Sequence, residues 1–192
     1  MIYSFHPLES EHACDFAFAK MLYETAFPPE ERRDVAAWFE LQKNNPEFRV
    51  EVMRRNAGDE TDTPVALLCY WQFPHFCYVE HLAVDERCRR QHLGTEVLLR
   101  VSRLGSPIVL EVEPEVDETT RNRLLFYRSA GYDEPYKDYL QPPYSSEKPA
   151  VPLWLLSNRP SWLWSHVEEV KDTLYKKVYQ CKQTIESLHS GL

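Results

Sequence analysis

The chain has 192 residues, 43% of them hydrophobic, which is enough for one ordinary domain to bury a substantial core with appendages outside it. Acidic residues (30) outnumber basic ones (22), and the resulting net charge of -8 disfavours nonspecific attraction to nucleic acid or anionic lipid. Apolar runs are only a few residues long, Met1 is followed by Tyr3, His6 and Glu9 rather than a leader, and the five cysteines form no CxxC pair; the expectation is a cytoplasmic protein with reduced thiols, no metal and no membrane partner.

Residues 1–7 read as a short strand, and Ser10 is placed to cap a helix whose apolar positions are Cys14, Ala17, Met21, Leu22 and Thr25. After the turn Phe27-Pro28-Pro29, residues 30–45 predict a second helix, opened by prolines and acids and stopped before Pro46. Alternation of Phe48, Val50 and Val52 gives a strand, the polar stretch 56–63 a turn, and residues 64–71 its hairpin partner. A further strand over 76–84 leads through the basic loop 85–90 to an amphipathic helix carrying Leu93, Val97, Leu98, Val101 and Leu104, ended by Gly105 and Pro107. Residues 108–112 predict a strand, 119–130 a helix ended by Gly131, and 136–140 and 151–156 two more strands.

The expected order is close to βααββββαβαββ. Strand-helix-strand units imply local parallel pairing and hairpins imply antiparallel pairing, so the domain is α+β with a mixed sheet. Beyond Pro160 the residues Val167, Val170, Leu174, Val178, Cys181, Ile185 and Leu188 form one apolar stripe of a long terminal helix. Folding back on its own domain is the commoner outcome for such a helix, and pairing with a second copy as a homodimer is the other.

The chemistry concentrates between Tyr78 and Thr95. A strand end feeds a helix N-terminus, Arg87, Arg89 and Arg90 gather positive charge in an acidic protein, Gly94 permits close backbone approach, and first-turn amides point outward. These features make a phosphate cradle. The run Val84, Asp85, Arg89, His92, Leu93, Gly94 and Thr95 resembles the pyrophosphate-binding motif of the GNAT N-acetyltransferase superfamily, with His92 standing where the first glycine is usual. The block Leu124-Leu125-Phe126-Tyr127-Arg128-Ser129-Ala130-Gly131-Tyr132 resembles the late helix of the same family, with Thr120 where an asparagine is often found.

The resemblance covers about residues 48–156. It implies a GNAT-like, mostly antiparallel twisted sheet with flanking helices over residues 1–157, and a C-terminal helical extension over 158–192. It further implies acetyl-CoA as acyl donor, held by Leu82, Ala83, Val84, Arg89, Arg90, Gln91, His92, Leu93, Gly94 and Thr95, and a small-molecule or peptide amine as acceptor. Two neighbouring strands should splay, with the amide of Leu82 or Ala83 facing the thioester oxygen, and Tyr127 should protonate the departing thiolate. Glu80 is the candidate general base if burial raises its pKa, with Glu111 and Glu113 as rivals. His81 is expected on the face opposite Glu80. The segments Phe27 to Arg33 and Tyr139 to Tyr144 are the expected acceptor rim, with Glu30, Glu31, Tyr139 and Tyr144 able to receive an amine. The alternative to an enzyme is a catalytically silent acyl-CoA-binding module.

Overall fold

The computed structural model describes residues 2–8, 13–56 and 62–181. Its elements are β1 (Ile2–Pro7), α1 (Ala13–Ala26), a 3-10 turn (Pro29–Glu31), α2 (Val35–Asn44), β2 (Phe48–Asn56), β3 (Asp62–Gln72), β4 (Cys77–Val84), a 3-10 turn (Glu86–Cys88), α3 (Leu93–Ser102), β5 (Ile108–Val112), α4 (Glu118–Ser129), β6 (Tyr136–Gln141), β7 (Val151–Ser157) and α5 (Pro160–Thr173), which runs on into a π-type turn (Leu174–Val178). The run between the second and third helices holds three strands, one fewer than the expected order. The sheet order is β1-β2-β3-β4-β5-β7-β6, and β4 with β5 is the one parallel pair among antiparallel neighbours. Among the described residues no helix is long and apolar enough to cross a membrane.

Each face of the sheet carries its own apolar layer. Phe18 and Tyr23 of α1, Trp38 of α2 and Leu163, Val170 and Leu174 at the C-terminal end cover the face that includes Phe48, Val50, Val52, Trp71 and Tyr78. Leu93, Val97, Leu98 and Val101 of α3 with Leu124 and Tyr127 of α4 cover the other. A central strand roofed on both sides cannot alternate apolar with polar, and β3 is accordingly buried continuously from Val65 to Trp71.

Several sequence expectations need correction. On α1 the buried positions are Asp15, Phe18, Ala19, Leu22 and Tyr23, whereas Ala17, Met21 and Thr25 are exposed. The two aromatics have more apolar area to hide than Ala17 or Met21 and set the rotation of the helix, while Asp15 is paired with Arg54 of β2. The second helix does not begin at Glu30: the 3-10 turn ends at Arg32 in extended backbone, and α2 starts after Asp34. Extended backbone at Arg32 and Asp34 leaves Arg33 free to reach inward. Val170, Leu174 and Val178 lie on the buried face of the terminal helix, but Gln180 (φ 53°) ends it, so Cys181 is outside it. Ser10, Ile185 and Leu188 lie outside the described residues.

Candidate active site

β4 and β5 pair only at Cys77 with Ile108, Tyr78 with Val109 and Val79 with Leu110, and beyond that point they separate. The cause is visible on the β3 side. Cys69 pairs with His81 and Tyr70 with Val79, so Glu80 is the extra residue of a β-bulge, which twists β4 away from β5. The bulge also overturns the expected alternation: Glu80 and His81 face the same side, Glu80 against Trp71 and His81 against Tyr23 and Phe27. Asp85 N–H donates to the Val65 carbonyl of β3 (3.0 Å). Because hydrogen-bonding direction alternates along an antiparallel strand, Ala83 also turns its polar backbone groups toward β3, and those of Leu82 and Val84 point into the gap.

A cavity of about 680 Å³ runs through this gap from one face of the sheet to the other. Of the residues singled out from sequence, Glu80, Leu82, Ala83, Val84, Arg89, Arg90, His92, Leu93, Gly94, Thr95 and Tyr127 all line it. Gln91 does not; its side chain accepts a hydrogen bond from Arg55 (2.8 Å).

On the α3/α4 side the cavity floor is the start of α3. No side chain caps this helix, and the first intrahelical bond runs from Glu96 N–H to the His92 carbonyl (3.2 Å), so the helix offers no partner to the amides of Leu93, Gly94 and Thr95. Those amides and the positive helix end suit an anion. Arg87 is tied to Asp85, whereas Arg89 and Arg90 make no ion pair among the described residues. His92 adopts the left-handed conformation (φ 60°, ψ 13°), as does Arg90 (φ 60°), and this explains why glycine suits position 92. A Cβ on Gly94 would stand 2.9 Å from the Phe126 ring of α4, so a larger residue there would have to push that ring aside. Asp117 and Thr120 form a capping box that starts α4 and aims Tyr127 at the cavity. The Tyr127 hydroxyl makes no hydrogen bond among the described residues, and burial raises its pKa, so it stays protonated at neutral pH.

On the other face two carboxyl groups meet opposite fates. The Glu80 side chain is fully shielded; it is ion-paired with Arg33 and accepts from Trp71 Nε1 (2.8 Å) and the Tyr144 hydroxyl (2.9 Å). Burial pushes its pKa up, but the Arg33 charge and the Trp71 hydrogen bond outweigh it and hold the group below the usual carboxylate value. The condition set for Glu80 as base, a pKa raised by burial, is therefore not met. Glu111, at the mouth of the splay, makes no ion pair among the described residues. Burial pushes its pKa up to about 7, and hydrogen bonds from Tyr139 and from Tyr179 (2.7 Å) restrain the rise. Glu113, the third candidate, is paired with Arg123.

His81 Nε2 donates to the Glu31 carbonyl (2.9 Å), which leaves Nδ1 unprotonated and without a partner among the described residues; burial keeps the ring neutral. Phe27, Pro28, Glu31, Gln141, Tyr144 and Leu153 complete this mouth. The two expected rim segments do meet here. Tyr139 lies behind the cavity wall, and Glu30 is exposed away from it. Sequence reasoning passed over Trp71 and Tyr179 and held Arg33 only as the end of a rim segment, yet the three fix the states of the two carboxyl groups from 9, 68 and 47 positions away.

A family model described as acetyltransferase (GNAT) family matches residues 14–132. "Putative acetyltransferase YjbC" of Bacillus subtilis strain 168 is 32% identical over 104 residues, which are 53% of this chain and 50% of the relative, so the match spans half that relative's length. The structure of a "putative acetyltransferase from GNAT family" from Bacteroides thetaiotaomicron has a TM-score of 0.82 at 29% identity, covering 93% of this chain and 99% of that one. An aminoglycoside 6'-N-acetyltransferase complexed with coenzyme A shares the fold at a TM-score of 0.53 and 18% identity, over 82% of this chain and 96% of that one.

Proposed function

The chain belongs to the GNAT acetyltransferase family, and from that premise we propose that it transfers an acetyl group from acetyl-CoA to a primary amine of a small molecule or peptide by direct attack. The observation that carries the reading is the single cavity through the β4/β5 splay, which joins an anion cradle and a free tyrosine hydroxyl on one face to a proton-accepting carboxyl group on the other. Acetyl-CoA supplies the activated acetyl thioester. Arg89, Arg90 and the amides of Leu93, Gly94 and Thr95 hold its pyrophosphate, and the backbone edge of Leu82 and Val84 receives its extended arm. The Leu82 amide donates to the thioester carbonyl oxygen, where negative charge grows during attack.

Glu111 takes the proton of the incoming ammonium, because a carboxyl group that titrates near neutral pH is a competent base there. Glu80 holds Arg33 and Tyr144 in place at the same mouth, and its paired, low-pKa state makes it the weaker base of the two. Tyr127 delivers a proton to the departing thiolate. Glu31, Phe27 and Tyr144 give the acceptor mouth an acidic and aromatic character that suits a cationic amine.

The test is thiol release from acetyl-CoA across a panel of amines, paired with calorimetric titration of CoA. Glu111→Gln is expected to lower turnover by about 100-fold or more and Tyr127→Phe by a similar order, both with CoA affinity retained. Replacing Arg89 and Arg90 by alanine is expected to weaken CoA binding. CoA binding with no thiol release for any amine would favour the silent binding module, and full activity in Glu111→Gln would remove the assignment of the base.

A further inference from the structure

We propose that Tyr179, at the end of the terminal helix, is a positioning residue for Glu111, which ties this turn to the active site. The inference rests on Glu111 acting as the base. Tyr175, Val178 and Tyr179, spaced i, i+3 and i+4, all lie on the buried side where the helix ends in its π-type turn. Tyr179 N–H donates to the Leu174 carbonyl (3.0 Å), Cys181 N–H donates to the Tyr175 carbonyl (2.9 Å), and Gln180 takes φ 53°, so the turn is closed on itself.

Its two terminal groups then reach the two carboxyl groups of the acceptor mouth. The Val178 carbonyl accepts from Arg33 Nη2 (2.7 Å), the same guanidinium that pairs with Glu80. The Tyr179 hydroxyl donates to Glu111 Oε2 (2.7 Å) and lies 3.1 Å from the Tyr78 hydroxyl. Tyr139 of β6 donates to Glu111 Oε1, so each carboxyl oxygen has one tyrosine from a different element. The other groups facing Glu111 are Tyr78 and Glu80 of β4 and Tyr144 after β6, and none is a cation. Without Tyr179, Oε2 loses the hydroxyl that donates to it at 2.7 Å in a shielded site. Tyr179 does not line the cavity, so it acts through Glu111 and not on substrate.

The experiment is a carboxyl-13C NMR titration of the full chain labelled at glutamate, with Glu111→Gln identifying the resonance. Tyr179→Phe is expected to raise the Glu111 midpoint by about one pH unit, since a hydrogen bond that stabilises the ionised form is lost. Tyr175→Phe is the control: its hydroxyl donates to the Leu140 carbonyl (2.7 Å) and not to Glu111, so the midpoint should stay in place. An unmoved midpoint in Tyr179→Phe, or equal movement in both variants, overturns the proposal. Should Tyr179→Phe fail to fold, 3-fluorotyrosine placed at position 179 keeps the ring and makes the hydroxyl a stronger donor; a lowered midpoint supports the proposal and an unmoved one overturns it. Failure of the base assignment shows separately, as turnover retained in Glu111→Gln.

Discussion

His92 and Glu111 each depart from what their neighbours would impose on an average residue, and each departure has a measurable cost. A left-handed backbone costs a residue with a Cβ about 1–2 kcal/mol, less for histidine than for branched side chains, and His92 has no capping hydrogen bond to offset it. Glycine adds unfolded-state entropy, so His92→Gly is expected to leave stability unchanged or raise it by up to about 1 kcal/mol in thermal melts, with CoA affinity equal or better. A less stable variant with weaker CoA binding would mean that the imidazole itself contributes to the cradle. For Glu111 the sign follows from the raised pKa. Between the ordinary value of 4.5 and about 7 the folded chain keeps a proton that the unfolded chain has lost. The stability this group lends is therefore complete below about 4.5, declines across that window and is gone above about 7. Denaturant melts of Glu111→Gln against the unsubstituted chain should diverge as pH rises, with the variant gaining up to about 3 kcal/mol in relative terms by pH 8.

At the scale of elements the bulge in β4 and the break before α2 form one unit. The bulge turns Glu80 into a shielded pocket, and the extended backbone at Arg32 and Asp34 delivers the Arg33 guanidinium to it. Arg33 is 10% exposed and Glu80 not at all, so Glu80→Gln leaves a buried cation uncompensated and is expected to cost about 3–5 kcal/mol. Adding Arg33→Met should recover much of that loss in a double-mutant cycle; additive losses would show that the two side chains do not act as a pair. Neither half of this unit was legible in the sequence. The strands were, because a sheet face repeats every second residue and Phe48, Val50 and Val52 display that repeat locally. A bulge adds one residue without changing composition, and Tyr78-Val79-Glu80-His81 reads as regular strand with or without it. The uncapped helix start and the arginines beside it were legible because they are contiguous from Asp85 to Thr95. The state of Glu111 was not, because its hydroxyl donors come from Tyr139 and Tyr179, which only the closed fold brings to it.

The whole molecule gathers its separated pieces around one seam. Four antiparallel strands (β1 to β4) and three others (β5, β7 and β6) are joined along the sheet by only three residue pairs, from Cys77 with Ile108 to Val79 with Leu110. Arg89 and Arg90 stand at one mouth of that seam, and the terminal helix lays its apolar stripe on the core beneath the other, through Leu163, Val170, Leu174 and Val178. A sheet is as strong as its least-bonded join, and here the join is also where the proposed ligand site lies. A bound pantetheine arm laid along Leu82 and Val84 would act as an eighth, removable strand fragment, riveting two half-sheets that the polypeptide itself only tacks together. Amide hydrogen exchange at Val79, Leu110 and Glu111 should slow when CoA is added, while exchange in the middle of the β2/β3 pair stays as it was. Equal slowing throughout the sheet would mean that the seam is no weaker than the rest. In mechanical terms the acyl donor would be the fastener of the very fold that binds it, gripping while it is held and loosening its own joint each time it leaves.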